Sequence, residues 1–386
     1  MMLILLAATA LTASAVYLYL IDIGISLAGL VNILRESVAN PSTEPEDFRD
    51  LGTAVALLMG VLAASATIFF SIIRVWINER TASSAEGALF NDKINAAVSD
   101  LHAQRQITKW LCTGAQNGWE DDVTRRNGAI DRLLGLASEE PNAPPRIARM
   151  LSVYIKELSR EYPAKTPPQT DVPKSLRAWA QKLKFTRSDM QLAVQVLGQL
   201  RKESGHTLEN GEIDLTGTNL QGFYLKNLNF NNVSFKDAQL QGAVLINAQL
   251  QGAKLLSAQL QGADLCHAQL QGAKLFNAQL QGAELVNAQL QGADLIDAQF
   301  DPATTLGAAD FSNAALKIVD FSETTITQDQ LDSAFGDATV TLPGGKGTND
   351  PEWPDHWSKE KLDWDEFETQ WRKFQSDNGF DPNNPD

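Results

Sequence analysis

The chain has 386 residues, a mass of 42.1 kDa and a formal net charge of −15. Residues 208–340 carry 15 acidic against 5 basic side chains and 341–386 carry 11 against 5, while 1–207 is nearly neutral. Phosphate binding depends on Lys and Arg, so this acidic half argues against direct nucleic-acid binding and leaves basic protein surfaces as possible partners.

Taken in chain order, residues 3–34 are apolar except for Asp22, and 51–77 are apolar until Arg74. Each run reaches the roughly 20 residues a helix needs to cross the hydrocarbon core. This predicts a transmembrane helix over 1–34, an extracytoplasmic loop over 35–50 and a second transmembrane helix over 51–78, with the lipid bilayer as the partner of 3–34 and 51–77. A cleaved secretory signal competes for the first run, because Ala13-Ser14-Ala15 has the small-x-small form of a cleavage site. No Lys or Arg precedes the apolar stretch, however, and signal peptides normally have a basic n-region. The loop holds Arg35 and Arg49 among five acidic residues, whereas Arg74, Arg80 and Lys93 follow the second helix. That bias places the C-terminal side in the cytoplasm. Asp22 fits the interfacial end of the first helix better than a buried functional carboxylate, which would be costly in mid-bilayer.

From 79 to 205 the pattern becomes helical, with ordinary charge density. Ile94, Val98 and Leu101 share a face of what reads as a continuation of the second membrane helix. Ile130, Leu133, Leu134 and Ala137 form another stripe, and Pro144-Pro145 opens a helix that buries Leu151, Ile155 and Leu158. A Pro-rich break at 163–173 precedes a last helix marked by Leu192, Val196 and Leu200, with Thr186 and Asp189 spaced as a capping box. The expectation is a small all-α connector, with short paired helices that stack in a HEAT-like layer. It serves either as a spacer covering the start of the next domain or as a partner-binding groove.

The clearest signal is an internal repeat. Leu or Phe recurs every five residues from Leu215 to Phe300, and Ala stands two places before each from Ala238 to Ala298. A period of five fits neither a helix nor a long alternating strand; it fits a chain that runs briefly extended, turns and runs again. Residues two apart in an extended segment point the same way, so Ala and the central Leu or Phe face inward. The Gly or Asn two places after the Leu sits at a corner that needs an unusual φ. Five further units, on Leu306, Phe311, Leu316, Phe321 and Ile326, follow a slip of one residue. Asp301-Pro302 is the expected place for that slip, because proline cannot donate to a ladder. In the early units Ile213, Thr218, Phe223, Leu228 and Val233 replace Ala, which predicts a wider first coil.

Over 211–326 the sequence resembles the pentapeptide-repeat family, whose unit has Ala, then Asn or Asp, then a central Leu or Phe. The resemblance implies a right-handed quadrilateral β-helix with four units per coil, and hence nearly six coils. With the two apolar N-terminal segments it implies a bacterial, membrane-anchored type, held in the inner membrane with its repeats on the cytoplasmic side. The implied fold class is a multidomain membrane protein: two transmembrane helices, the connector, the β-helix, and a C-terminal helical cap within an acidic, Trp-rich tail over 327–386. Thr327 to Phe335 reads as a short helix covering the last coil.

With four units per coil, every twentieth residue stacks in one column. Gln239, Gln259, Gln279 and Gln299 make one column and Gln249, Gln269 and Gln289 another, able to form amide ladders. The other two faces carry apolar columns, Ile246, Cys266 and Val286 on one and Leu256, Phe276 and Ile296 on the other. Such columns mark contact surfaces, so these six are the candidate interaction surface for a protein partner or a second copy. Tolerated apolars, or cover by the tail, are the competing explanations. Trp364, Phe367, Trp371 and Phe374 fall at helical spacing behind the capping pair Asp363 and Glu366, which makes this segment a candidate docking helix.

Cys112 and Cys266 form no disulfide framework, and no catalytic, cofactor-binding, metal-ligating or small-molecule site stands out. The leading expectation is a non-catalytic, membrane-tethered scaffold. The alternatives are an acidic nucleic-acid mimic, as the resemblance to DNA gyrase-directed pentapeptide proteins implies, and an enzyme whose groups converge from distant positions.

Overall fold

The computed structural model describes residues 45–111, 114–140, 142–169, 172–203 and 212–381, with scattered positions between 21 and 36. The expected membrane helix over 1–34 lies largely outside the described residues. The chain divides into two units, Met1–Asn91 and Asp92–Asp386. Helix α1 spans Pro45–Leu101. It therefore begins inside the expected 35–50 loop and continues past residue 78 to the end of the Ile94/Leu101 stripe. Among the described residues one helical stretch, Leu62–Leu101, is long and apolar enough to cross a membrane.

In the second unit the connector is not all-α. Strands β1 (Gln104–Leu111) and β2 (Gly114–Asp121) pair antiparallel, Gln104 opposite Asp121. Ile107, Thr108 and Trp110 are strand-favouring residues in a stretch too short and polar to show a helical period. Helices α2 (Val123–Glu139), α3 (Ala143–Glu161), α4 (Pro173–Ala180) and α5 (Ser188–Glu203) follow. Their core joins Ile130, Leu133, Ile147, Leu151, Ile155, Val196 and Leu200, all buried, with Ile94 of α1.

From Asp214 onward each five-residue unit adds one short bridge, and each bridge pairs with the residue twenty positions on, from Asp214↔Ser234 to Gln279↔Gln299. Four units thus close one coil. The inward Ala and central Leu residues are buried throughout 238–298, and the bulky residues of the first coil are buried as well. Corner residues two places after the central position have φ between +53° and +68° over 217–297. Asn and Asp tolerate this region better than other side chains.

The slip occurs at Asp301-Pro302: bridges change from twenty to twenty-one residues at Glu284↔Thr305, Gln289↔Asp310 and Asp294↔Ala315. In the regular coils a corner amide reaches a main-chain carbonyl, as Gly262 N does with Gln281 O at 3.0 Å. At the slip the Asp301 carboxylate substitutes, accepting from Gly282 N at 2.7 Å and from Ala303 N and Thr304 N at 3.0 Å.

Stacking does not end at residue 326. Helix α6 (Gln328–Ser333) starts with a capping box between Thr327 and Gln330. Strand β4 (Phe335–Gly336) then pairs in parallel with β3 (Ala315–Leu316), and Asp320 bridges Thr341. Phe335, Val340 and Leu342 are buried without any five-residue unit to announce them. Gln330 meanwhile donates to Leu306 O at 2.9 Å and Ala309 O at 2.8 Å, carbonyls with no further coil above them. The last helix, α7 (Trp364–Asp377), begins with the Asp363/Glu366 capping box.

Candidate interaction surface

The coil has four faces, numbered here in chain order: face 1 holds Leu240, face 2 Leu245, face 3 Leu250 and face 4 Leu255. Faces 1 and 3 are the Gln-lined ones. Their amides form diagonal ladders: Gln241 Nε2 donates to Gln259 Oε1 at 2.6 Å, Gln251 to Gln269 and Gln271 to Gln289 at 2.7 Å, and Gln281 to Gln299 at 2.9 Å. Each bond joins the outward residue after one Leu to the outward residue before the Leu one coil on. These donors are used within the stack, so the two Gln faces are built for cohesion.

The connector covers the open start of the coil. Interior coils satisfy the amide before each central residue with a carbonyl of the preceding coil, as Gln239 N does with Thr218 O. The first coil has no predecessor, and an unpaired strand edge invites association. Here Asn219 N bonds to Ser159 Oγ at 3.0 Å, Tyr224 N to Gln191 Oε1 at 3.0 Å and Asn229 N to Gly198 O at 3.3 Å. Farther along, the segment 177–184 runs beside the corner column of face 1. A Cβ on Gly242, at φ +65°, would sit 2.0 Å from the Ala180 carbonyl oxygen, so this column needs glycine for space as well as for φ. Arg177 ties the segment down by pairing with Glu284 and donating to Ala303 O at 3.2 Å.

Face 4 is partly taken by α7. Ile296 is only 5% exposed, clustered with Ala315, Phe335, Phe367 and Trp371; Phe276 and Phe374 pack partly buried against this cluster. Trp364 lies 6.1 Å from Phe276, and Trp371 Nε1 donates to Asn313 O at 2.8 Å. Lys317, next in the column after Ile296, donates to Asp337 Oδ2 at 2.6 Å and to Leu362 O at 2.7 Å. The upper part of the Leu256/Phe276/Ile296 column is therefore occupied by the chain's own docking-helix candidate, whereas Leu256 stays half-exposed.

On face 2, Ile246, Cys266 and Val286 are all half-exposed, and Tyr224 of the first coil is 55% exposed. The ligand atoms of Asp264, Cys266 and Glu284 come within 4.8 Å of one another. Glu284 already pairs with Arg177. Burial, and then the Asp264 and Glu284 carboxylates, push the Cys266 thiol up to about 11.

One cluster had no legible signature in the sequence. Arg126 donates from Nε to Ala103 O at 3.1 Å and from Nη2 to Asp121 Oδ1 at 2.6 Å. Arg187 pairs with both Asp121 and Asp189, and Tyr154 OH donates to Asp189 Oδ2 at 2.8 Å. Asp189, spaced with Thr186 as a capping box, is fully buried, and its carboxylate accepts from Arg187, Tyr154 and Met190 N. Two guanidinium groups face two carboxylates with their hydrogen bonds largely filled, which locks the connector together and leaves no free acid or base.

Residues 212–245, 243–278 and 273–301 match the family model described as pentapeptide repeats, in eight copies. No curated protein matches the chain. Among solved structures, a pentapeptide repeat protein from the Arabidopsis thaliana thylakoid lumen is 28% identical, covering 36% of this chain and 88% of that one with a TM-score of 0.18. Full-length QnrB1, a plasmid-mediated fluoroquinolone resistance protein, is 20% identical, covering 42% and 82% with a TM-score of 0.19. Rfr23, a pentapeptide repeat protein from the cyanobacterium Cyanothece 51142, is 24% identical, covering 33% and 90% with a TM-score of 0.16. Residues 212–301, whose in-phase five-residue units close a coil every twenty residues, thus match the pentapeptide-repeat family.

Proposed function

We propose that this chain is a membrane-tethered, non-catalytic interaction protein whose β-helix presents faces 2 and 4 to a protein partner. The observation that carries the reading is the pair of half-exposed apolar columns, Ile246/Cys266/Val286 and Leu256/Phe276, on a coil whose other two faces use their amides internally. A rigid stack that repeats its outward positions every coil suits extended contact surfaces.

Tethering rests on α1. Ile68, Phe69, Phe70, Ile72, Val75 and Trp76 are exposed large apolar side chains that water does not favour and lipid does. The Arg80 guanidinium lies over the Trp76 ring at 5.5 Å, and aromatic and basic groups of this kind anchor helices at the membrane interface. With the run at 3–34 as a second span, both chain ends lie in the cytoplasm of a bacterial cell and the helices anchor the protein in the inner membrane.

The test is a photo-crosslinking amino acid at Ile246 or Leu256 of the full chain in native membranes, after an alkaline wash that removes peripheral proteins. Retention in the washed membrane and a discrete crosslinked species are expected. A protein that washes off lacks the tether, and one that crosslinks to nothing from either face is not a scaffold.

A further inference from the structure

The uncovered part of face 4 has the size and charge of a seat for one more helix beside α7. We infer that it docks an acidic amphipathic helix of a partner protein, an inference that rests on the interaction reading above.

The spacing comes first. Helix α7 covers the Ile296, Ala315 and Phe335 rows. The bridges Lys274↔Asp294 and Asp294↔Ala315 put the Phe276 row two coils below the centre of that footprint. Two coils are roughly 9.6 Å at the usual strand spacing, within the range of about 8–10 Å that separates packed helices. A helix laid along the Phe276 and Leu256 rows would thus touch both the coil and the flank of α7. That flank ends in Trp364, which is 53% exposed beside Phe276.

Charge identifies the occupant. Lys236, Lys254 and Lys274 project from three successive coils of face 4, and all three are exposed. They are three of only five basic residues in 208–340, where 15 are acidic. Asp294 above them lies under α7, and Asp237 sits at the corner beside Lys236, so the open part of the face stays basic around its apolar centre. An acidic helix with an aromatic or aliphatic stripe complements it on both counts. The neighbouring seat already holds a helix of this chemistry: α7 buries Phe367 and Trp371 and carries Asp365, Glu366 and Glu368 in its first turns.

The probe is a fluorescein-labelled peptide of residues 361–379, followed by anisotropy with the full chain in detergent micelles. Saturable one-to-one binding that weakens with salt is expected. The double variant K254E/K274E should lower the affinity about tenfold or more, because two attractive contacts become repulsive. A peptide with Asp365, Glu366 and Glu368 changed to Lys should restore binding to that variant. Lys182→Glu, an exposed charge reversal in the connector away from face 4, should change nothing. The inference is overturned if the wild-type chain does not bind, if K254E/K274E binds equally well, or if the reversed peptide gives no rescue. It also fails if the chain dimerises through this face, which would make a second copy the occupant. Equal loss of binding in Lys182→Glu and in K254E/K274E would refute the face 4 seat while leaving the scaffold reading intact.

Discussion

Lys317 and Asp337 form a buried ion pair, Nζ to Oδ2 at 2.6 Å, between residues twenty positions apart. Asp337 also accepts from Leu362 N at 3.0 Å while Lys317 donates to Leu362 O, so the pair fixes the segment that leads into α7. Removing one partner of a buried pair leaves the other uncompensated. Lys317→Met should therefore cost about 3–5 kcal/mol and expose α7 to exchange before the coil opens. Hydrogen exchange along 364–377 measures this.

Glycine at the corners of face 1 answers to the connector as much as to the coil. Gly242→Ala places a methyl 2.0 Å from Ala180 O at φ +65°. Positive φ alone costs an alanine about 1–2 kcal/mol, and the clash must push the 177–184 segment away as well. Gly217 has φ +67° but nothing within 4 Å of a Cβ, so Gly217→Asn should cost at most about 1 kcal/mol. Urea denaturation of the two variants compares them directly.

The slip at Asp301 is held by a side chain. Asp301→Ala removes the acceptor for Gly282, Ala303 and Thr304 amides. Leaving such groups unsatisfied costs about 1–3 kcal/mol each where water cannot reach them. A lower unfolding midpoint is expected, with Asp301→Asn milder because it keeps one carbonyl oxygen.

Acid should loosen the connector. Burial acts to raise the Asp121 and Asp189 carboxyls, but the Arg187 hydrogen bonds, together with the Arg126 charge at Asp121 and the Tyr154 hydroxyl at Asp189, outweigh it. Both are held below their ordinary 3.8. Groups depressed in the folded state stabilise it above their unfolded pKa, and that contribution fades as pH falls through the folded values. Connector stability should be flat above about pH 5 and decline below about pH 4. Arg187→Met should flatten the decline while lowering stability at neutral pH, as read by thermal melts across pH.

Asp294 has the opposite sign. Burial, and then the Glu368 charge, raise its carboxyl above 3.8 despite the Ile296 amide and Lys274. The ionised form therefore costs stability at neutral pH, and the cost disappears as pH falls through the raised value. Asp294→Asn keeps the acceptor for Ile296 N, found at 3.2 Å, and should raise the melting temperature by roughly 2 °C at pH 7. No gain is expected below pH 3.8.

The coil is legible in the five-residue repeat alone. A five-residue period with Ala two places before each Leu permits few backbones, and the slip after Phe300 was legible because an apolar phase records which residues face inward. The apolar stripes of α2, α3 and α5 were legible for the same reason. Features that depend on contacts between distant residues emerge only in the folded chain. The Arg126/Arg187 cluster and the continuation of the coil through Phe335 to Leu342 leave no period in the sequence, because each relies on partners supplied from elsewhere in the chain, and the local β1–β2 hairpin is too short and polar to leave one. The columns on faces 2 and 4 could be listed from their spacing, but not their accessibility. Ile296 and Leu256 occupy equivalent repeat positions, and only the path of α7 makes one of them core and leaves the other at the surface.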